Sequence, residues 1–337
     1  MIQTKMAFSS LTRISNLETD AFYVQELERN KWATGDYIVG EVTTTSRSSL
    51  VELTTGRMVE VAVGEYVVGA LGVRAATLEA VGSWYDIGDD HQMHAMTAAG
   101  IFGRVTSCST FIPNPLDLRY CGHAMRSGHK VTMADFAVAA NGLKLQCPVV
   151  LLIGTSMSSG KTTSARVIIR RLKRMGLRVV GAKLTGAGRF RDILSMSDAG
   201  ADAIVDFVDV GLPSTVCDHS MYQAALDNLL GRIAESQPDV LVAEAGASPL
   251  EPYNGDVAVS KLGDLVRCTV LCASDPYAVV GVTRGFGFDP DLVSGVAVST
   301  SAGVEVIEKL SGRPALNMLH VDSHPELDRI LKDRLGL

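Results

Sequence analysis

The segment Gly154-Thr155-Ser156-Met157-Ser158-Ser159-Gly160-Lys161-Thr162-Thr163 constrains this chain more than any other. It joins an apolar run at 149–153, which reads as a buried parallel strand, to a stretch at 162–175. There Ala165, Ile168, Ile169, Leu172 and Met175 recur at helical spacing. Backbone N–H groups of such a loop and of the first helical turn converge on one point. Small residues let the backbone wrap an anion at that point. In this placement Lys161 reaches the β- and γ-phosphates of a nucleotide, and the Thr162 hydroxyl takes a place on Mg²⁺. The loop therefore predicts a nucleotide-phosphate site over residues 154–163. Its spacing is unusual: the first glycine stands at 154, one residue earlier than in GxxxxGK[ST], and position 155 is Thr. The competing reading is an anion-free strand–helix turn in which Lys161 is an ordinary solvent lysine.

Three further segments follow in order. Lys183 stands in Ala182-Lys183-Leu184-Thr185-Gly186, at the end of the next apolar run. Ser197-Asp198-Ala199 comes next, and then Leu241-Val242-Ala243-Glu244-Ala245-Gly246-Ala247. With the loop GTSMSSGKTT, these segments resemble the dethiobiotin synthetase-like (SIMIBI-type) group of P-loop NTPases over roughly residues 154–247. The same half is distantly similar to the D-glutamate N-acetyltransferase and cyclic 2,3-diphosphoglycerate synthetase families. The resemblance implies ATP and Mg²⁺ as cofactors. It implies Lys161, Lys183 and Glu244 as catalytic residues, and Thr162, Asp198 and Glu244 as metal ligands. It also implies a dimer-type homo-oligomer. The chain departs from the group at Ser156 and Ser158, where acidic residues are usual. Val298-Ser299-Thr300-Ser301 also lacks the group's base-reading asparagine.

The residues allow plainer readings beside these. Glu244 ends an apolar strand, at the sheet edge where open α/β sheets bind ligands; otherwise it is a solvated strand end. Asp198 is a metal ligand or a helix N-cap competing with Ser197. Asp202 and Asp206 continue its row on an expected helix at 199–207, a pattern that is usually a solvated face. Lys183 is a cation at the phosphate mouth or a surface lysine. Thr185, Arg189 and Arg191 are candidate substrate contacts, since arginine forks suit carboxylates and phosphates. Residues 275–277 and 284–287 read as a mobile, glycine-bearing loop that lines the pocket.

Before residue 147 the text is strand-like. Short β-rich stretches at 37–43, 50–53, 58–63, 65–71, 77–81 and 100–107 are broken by frequent glycines, which predicts a small β-barrel or sandwich. Residues 113–142 read as an irregular connection. After 147, strands alternate with helices, which predicts a mostly parallel sheet with helices on both faces. The expected architecture is therefore α/β: a β-rich domain at 1–146 and a P-loop domain at 147–337.

At 337 residues, with 47% hydrophobic and 20% charged side chains, the chain is globular. A net charge of −6 argues against nucleic acid as the main partner. No apolar run reaches the ~20 residues that span a bilayer, and residues 1–10 lack the apolar core of a secretory signal. A cytoplasmic enzyme is expected. The leading expectation is ATP-dependent phosphoryl transfer to a small-molecule acid or amine, of ligase, synthetase or kinase type. A CoA-dependent N-acyltransferase and a nucleotide-switch GTPase use the same loop and stand as alternatives.

Overall fold

Alternating apolar and polar residues fold the first part of the chain into β1 (Met6–Phe8), β2 (Tyr23–Gln25), β3 (Tyr37–Thr44), β4 (Leu50–Glu52), β5 (Met58–Glu60) and β6 (Tyr66–Leu71). They continue with β7 (Val73–Ala75), β8 (Ala80–Ser83), β9 (Gln92–Ala95), β10 (Ile101–Cys108), β11 (Leu116–Arg126) and β12 (His129–Lys130). The computed structural model describes residues 6–44, 50–246 and 248–337. β6, β3, β11, β9 and β10 pair in that order, and β10 pairs in parallel with β6, so the five strands close into a ring. Closure leaves these strands no free edge. Ile38, Val42, Val67, Leu71, Met93, Phe102 and Leu118 are buried in one core. Burial of each large apolar side chain contributes about 1.5–3 kcal/mol. β4 and β5 form the expected hairpin, with Val51 opposite Val59.

The second part alternates strand and helix: β13 (Val149–Gly154), α1 (Lys161–Arg174), β14 (Val179–Thr185), α2 (Phe190–Asp198), β15 (Ala203–Asp206), α3 (His219–Glu235) and β16 (Val240–Ala245). It ends with α4 (Gly255–Leu262), β17 (Val266–Ala273), α5 (Pro276–Phe286), β18 (Leu292–Gly295), α6 (Ser301–Ser311) and α7 (His324–Leu335). The sheet order is β15-β14-β16-β13-β17-β18, and every pair is parallel. Ala165, Ile168, Ile169 and Leu172 of α1 pack in one core with Val150, Leu152, Cys268, Val270 and Cys272 of the sheet. The spacing of those α1 residues is the helical one read from the sequence. No helix of the described residues is long and apolar enough to cross a membrane.

The chain divides into two compact units. One holds the residues up to Ala139 together with Ala187–Arg191 and Phe207–Asp218; the other holds the remainder. The unit boundary therefore falls inside α2, between Arg191 and Asp192.

Three sequence expectations are corrected. Residues 113–142 are not an irregular connection: they contain β11, eleven residues long and central to the ring. The stretch 199–207 is not a helix. α2 ends at Asp198, and Ala203–Asp206 is the edge strand β15. Residues 276–286 form a helix, capped by Asp275, whose carboxylate accepts from the N–H groups of Tyr277 (2.7 Å) and Ala278 (3.0 Å).

Candidate functional site

The site is built where β13 ends. Gly154 is buried, and the Lys161 side chain folds back across it. A Cβ at position 154 would stand 2.4 Å from Lys161 Nζ and 2.6 Å from Ser159 Oγ, so only glycine leaves the ammonium its place. Lys161 Nζ donates to the Ser156 carbonyl at 2.8 Å and to Ser159 Oγ at 3.5 Å. Gly160 stands at the N-cap of α1 with φ 101°, a left-handed conformation that other residues adopt rarely. It lies close against Gly295 of β18, and Val296 N–H donates to the Ser159 carbonyl at 3.2 Å. Thr155 ties the other side of the loop down. Its N–H donates to the Cys272 carbonyl (3.0 Å), and its Oγ1 accepts from Ser274 N–H (3.0 Å). Ser156 and Ser159 are buried, whereas Ser158 and Thr163 are exposed. Met157 is half-buried.

Glu244 sits in β16, opposite Leu152 of β13 on one side and Lys183 of β14 on the other. The parallel register thus brings Lys161, Lys183, Thr162 and Glu244 to one sheet edge. Thr162 Oγ1 donates to Glu244 Oε2 at 3.0 Å. Glu244 is only 3% exposed. Burial, together with the nearby Asp192 charge, raises its carboxyl pKa, against the pull of Lys161, Lys183 and the Thr162 hydroxyl. Burial lowers the Lys161 pKa, and Glu244 opposes that shift. Lys183 is buried as deeply, and desolvation works against its charge. Asp192, Glu244 and Asp206 outweigh it, and the net shift is upward. Lys183 Nζ contacts Asp192 Oδ2 at 2.6 Å. Thr185 Oγ1 donates to the Gly246 carbonyl at 3.1 Å, which pins the β14 and β16 ends together. Ala247 of the sequence motif lies outside the described residues.

A hydroxyl and a carboxylate oxygen at hydrogen-bond distance form a donor pair that fits Mg²⁺. That ion takes one or two protein oxygens and completes its shell with water and phosphate. The set is hard and oxygen-only, with no thiolate or imidazole to favour a softer metal.

Asp198 does not join this cluster. It is the exposed last residue of α2, and the chain just beyond it returns to the start of β14, where Asp202 N–H donates to the Val179 carbonyl at 2.8 Å. The loop lies at the other end of the strands. The carboxylate that α2 brings to Lys183 is Asp192, six residues earlier. Asp202 pairs with Lys173 at 2.7 Å and holds Val179 N–H. Asp206 is fully buried and opposite Lys183 in the β14–β15 register. Arg189 and Arg191 are exposed, in a segment belonging to the first unit. The sequence reading missed Asp192. It also missed Glu251, whose charge reaches Lys161 and whose Oε2 accepts from Ser248 N–H at 2.6 Å. The available signal for Asp192 was the need of a strand-end lysine for a buried counter-charge.

No protein-family model matches the chain, and no curated protein matches it. Among solved structures, chloroplast FtsY from Physcomitrella patens is similar over 53% of this chain and 60% of its own length, at 15% identity and TM-score 0.36. A DUF1611 family protein from Anabaena variabilis is similar over 58% of this chain and 62% of its own, at 16% identity and TM-score 0.39. Hydrogenase maturation factor HypB from Archaeoglobus fulgidus is similar over 56% of this chain and 90% of its own, at 17% identity and TM-score 0.38. The chain spans about three-fifths of the length of the first two of these proteins.

Proposed function

We propose that residues 154–163 bind the phosphates of a nucleoside triphosphate with Mg²⁺, and that the site transfers the γ-phosphoryl group to an oxygen of a small acid or amine-derived carbamate. The observation that carries the reading is the joint placement of Lys161 over Gly154 and of Thr162 on Glu244. The loop supplies N–H groups and a helix N-terminus to the anion. Lys161, once released from the Ser156 carbonyl, exchanges that acceptor for phosphate oxygens. Lys183 stands ready to stabilise charge on the transferring group. Thr162 and Glu244 would hold Mg²⁺, which when bound neutralises charge on the phosphate oxygens. The acceptor oxygen forms the new bond to the γ-phosphorus while the bond to the β–γ bridging oxygen breaks, and the diphosphate leaves with that electron pair. Positioning and charge are what such a transfer needs, and the cluster consists of such groups. The likeness of the loop, Lys183 and Glu244 segments to dethiobiotin synthetase-like enzymes supports ATP as the nucleotide and a carboxylate or carbamate as the acceptor.

A second reading, nucleotide hydrolysis as a switch, uses the same loop and the same Thr162–Glu244 pair. The acyl-transfer alternative leaves the Thr162–Glu244 pair without a role.

The test is to incubate the protein with Mg-ATP and a panel of small carboxylic acids in the presence of hydroxylamine, which traps acyl phosphates as hydroxamates. Hydroxamate that depends on both ATP and one acid supports transfer. Phosphate release at the same slow rate with every acid, and no hydroxamate, favours the switch.

A further inference from the structure

The N-terminus of α2 is capped by Glu52, from the β4–β5 hairpin. Glu52 Oε2 accepts from Phe190 N–H and Oε1 from Arg191 N–H, both at 2.9 Å, and Ser10 Oγ donates to Oε2. The carboxylate is 1% exposed. The segment leading into the helix is held as firmly. Gly188 N–H donates to the Pro213 carbonyl at 3.0 Å, and Ala187 forms a β-bridge with Ser214. The Arg13 guanidinium lies 4.7 Å from the centre of the Phe190 ring and pairs with Asp209 at 2.8 Å. All these groups belong to the first unit. The next residue, Asp192, belongs to the second unit and sits on Lys183.

We propose that Glu52 is a positioning residue for the phosphate site: by capping α2 it fixes the first helical turn, and that turn holds Asp192 on Lys183. A buried carboxylate satisfied by two helix N–H groups favours a formed first turn and opposes fraying. A frayed turn carries Asp192 away from the lysine. The inference rests on the phosphate-site reading for its consequence, but the linkage from Glu52 to Lys183 can be measured without nucleotide.

The experiment is a double-mutant cycle on the full chain with Glu52→Gln and Asp192→Asn. Two readouts are taken: carbamylation of Lys183 by cyanate, followed by peptide mass spectrometry, and the Kd for Mg-ATP. Cyanate reacts with the neutral amine, so loss of the Asp192 contact speeds the reaction. The expected result is that Glu52→Gln raises the Lys183 rate by severalfold in the wild-type background and by less than twofold in the Asp192→Asn background. Ser10→Ala, which leaves both helix N–H contacts in place, gives a smaller change in the same direction and covers the case in which Glu52→Gln does not fold. Equal effects of Glu52→Gln in the two backgrounds would overturn the proposal, because a general loss of stability acts through no particular partner. If carbamylation is coupled but no variant binds Mg-ATP, the positioning role stands and the phosphate-site reading falls. If Mg-ATP binds and carbamylation is uncoupled, the positioning role falls alone.

Discussion

Gly154 shows how one atom decides the chemistry of the loop. A methyl group there meets the end of the Lys161 side chain and the Ser159 hydroxyl, both movable, rather than backbone. Gly154→Ala is therefore expected to fold with a loss of about 1 kcal/mol or less, within the ordinary range for single substitutions. Its Mg-ATP affinity is expected to fall at least tenfold, because the displaced ammonium no longer covers the phosphate seat; thermal melting and calorimetry separate the two effects. Glu244 gives a pH signature. Its folded pKa lies above the ordinary 4.5, so the native state keeps a proton that the unfolded chain releases. The contribution of this one carboxyl to stability is then fully present below pH 4.5 and is lost as pH rises through its folded value. Glu244→Gln removes that slope. The variant is expected to lose Mg²⁺-dependent nucleotide binding; a variant that binds Mg-ATP as tightly as wild type would contradict the assignment. Asp198→Ala, at the far end of α2, is expected to leave nucleotide affinity within twofold. The loop, Lys183 and Glu244 were legible because each is local: a strand end followed by small residues or a charge. Asp198 misled because Ser197-Asp198-Ala199 has the composition of a helix start, whereas here the helix ends there and Gly200 follows it.

At the scale of elements, α1 could be read directly, since its buried residues recur at helical spacing and its flanks are unambiguous. α2 could not. Its cap is Glu52, 138 residues away, so no Ser, Thr, Asp or Asn marks its start. β15 is a four-residue edge strand whose alternation is too short to separate from a helical turn. β11 was hidden by its own bends. Its pairing with β3 shifts register twice, between Asp117 and Leu118 and again between Tyr120 and Gly122. Such shifts break the period-two pattern on which strand reading depends. Its buried Leu118 lies in the ring core, and Leu118→Ala is expected to cost about 2–5 kcal/mol. Chemical denaturation monitored by tryptophan fluorescence checks this, since Trp32 and Trp84 share that core. A loss under 1 kcal/mol would show that β11 is not central to the ring.

At the scale of the molecule, the chain carries a ring of β-strands and a parallel sheet whose loop edge gathers two buried lysines and their counter-charges. The class of each part was legible from period: two residues in the first, strand–helix alternation in the second. The interruption of the second part by segments of the first was not. Residues 187–191 and 207–218 carry no compositional break, and only three-dimensional contact assigns them. The central claim is that the 154–163 loop holds nucleotide phosphates with Mg²⁺. Its most direct measurement is a calorimetric titration of the full chain with ATP, GTP, ADP and acetyl-CoA, each with and without Mg²⁺, beside the Lys161→Ala variant. The account predicts saturable binding of a nucleoside triphosphate that requires Mg²⁺ and is abolished in the variant. Binding of acetyl-CoA alone, without any need for Mg²⁺, would contradict it.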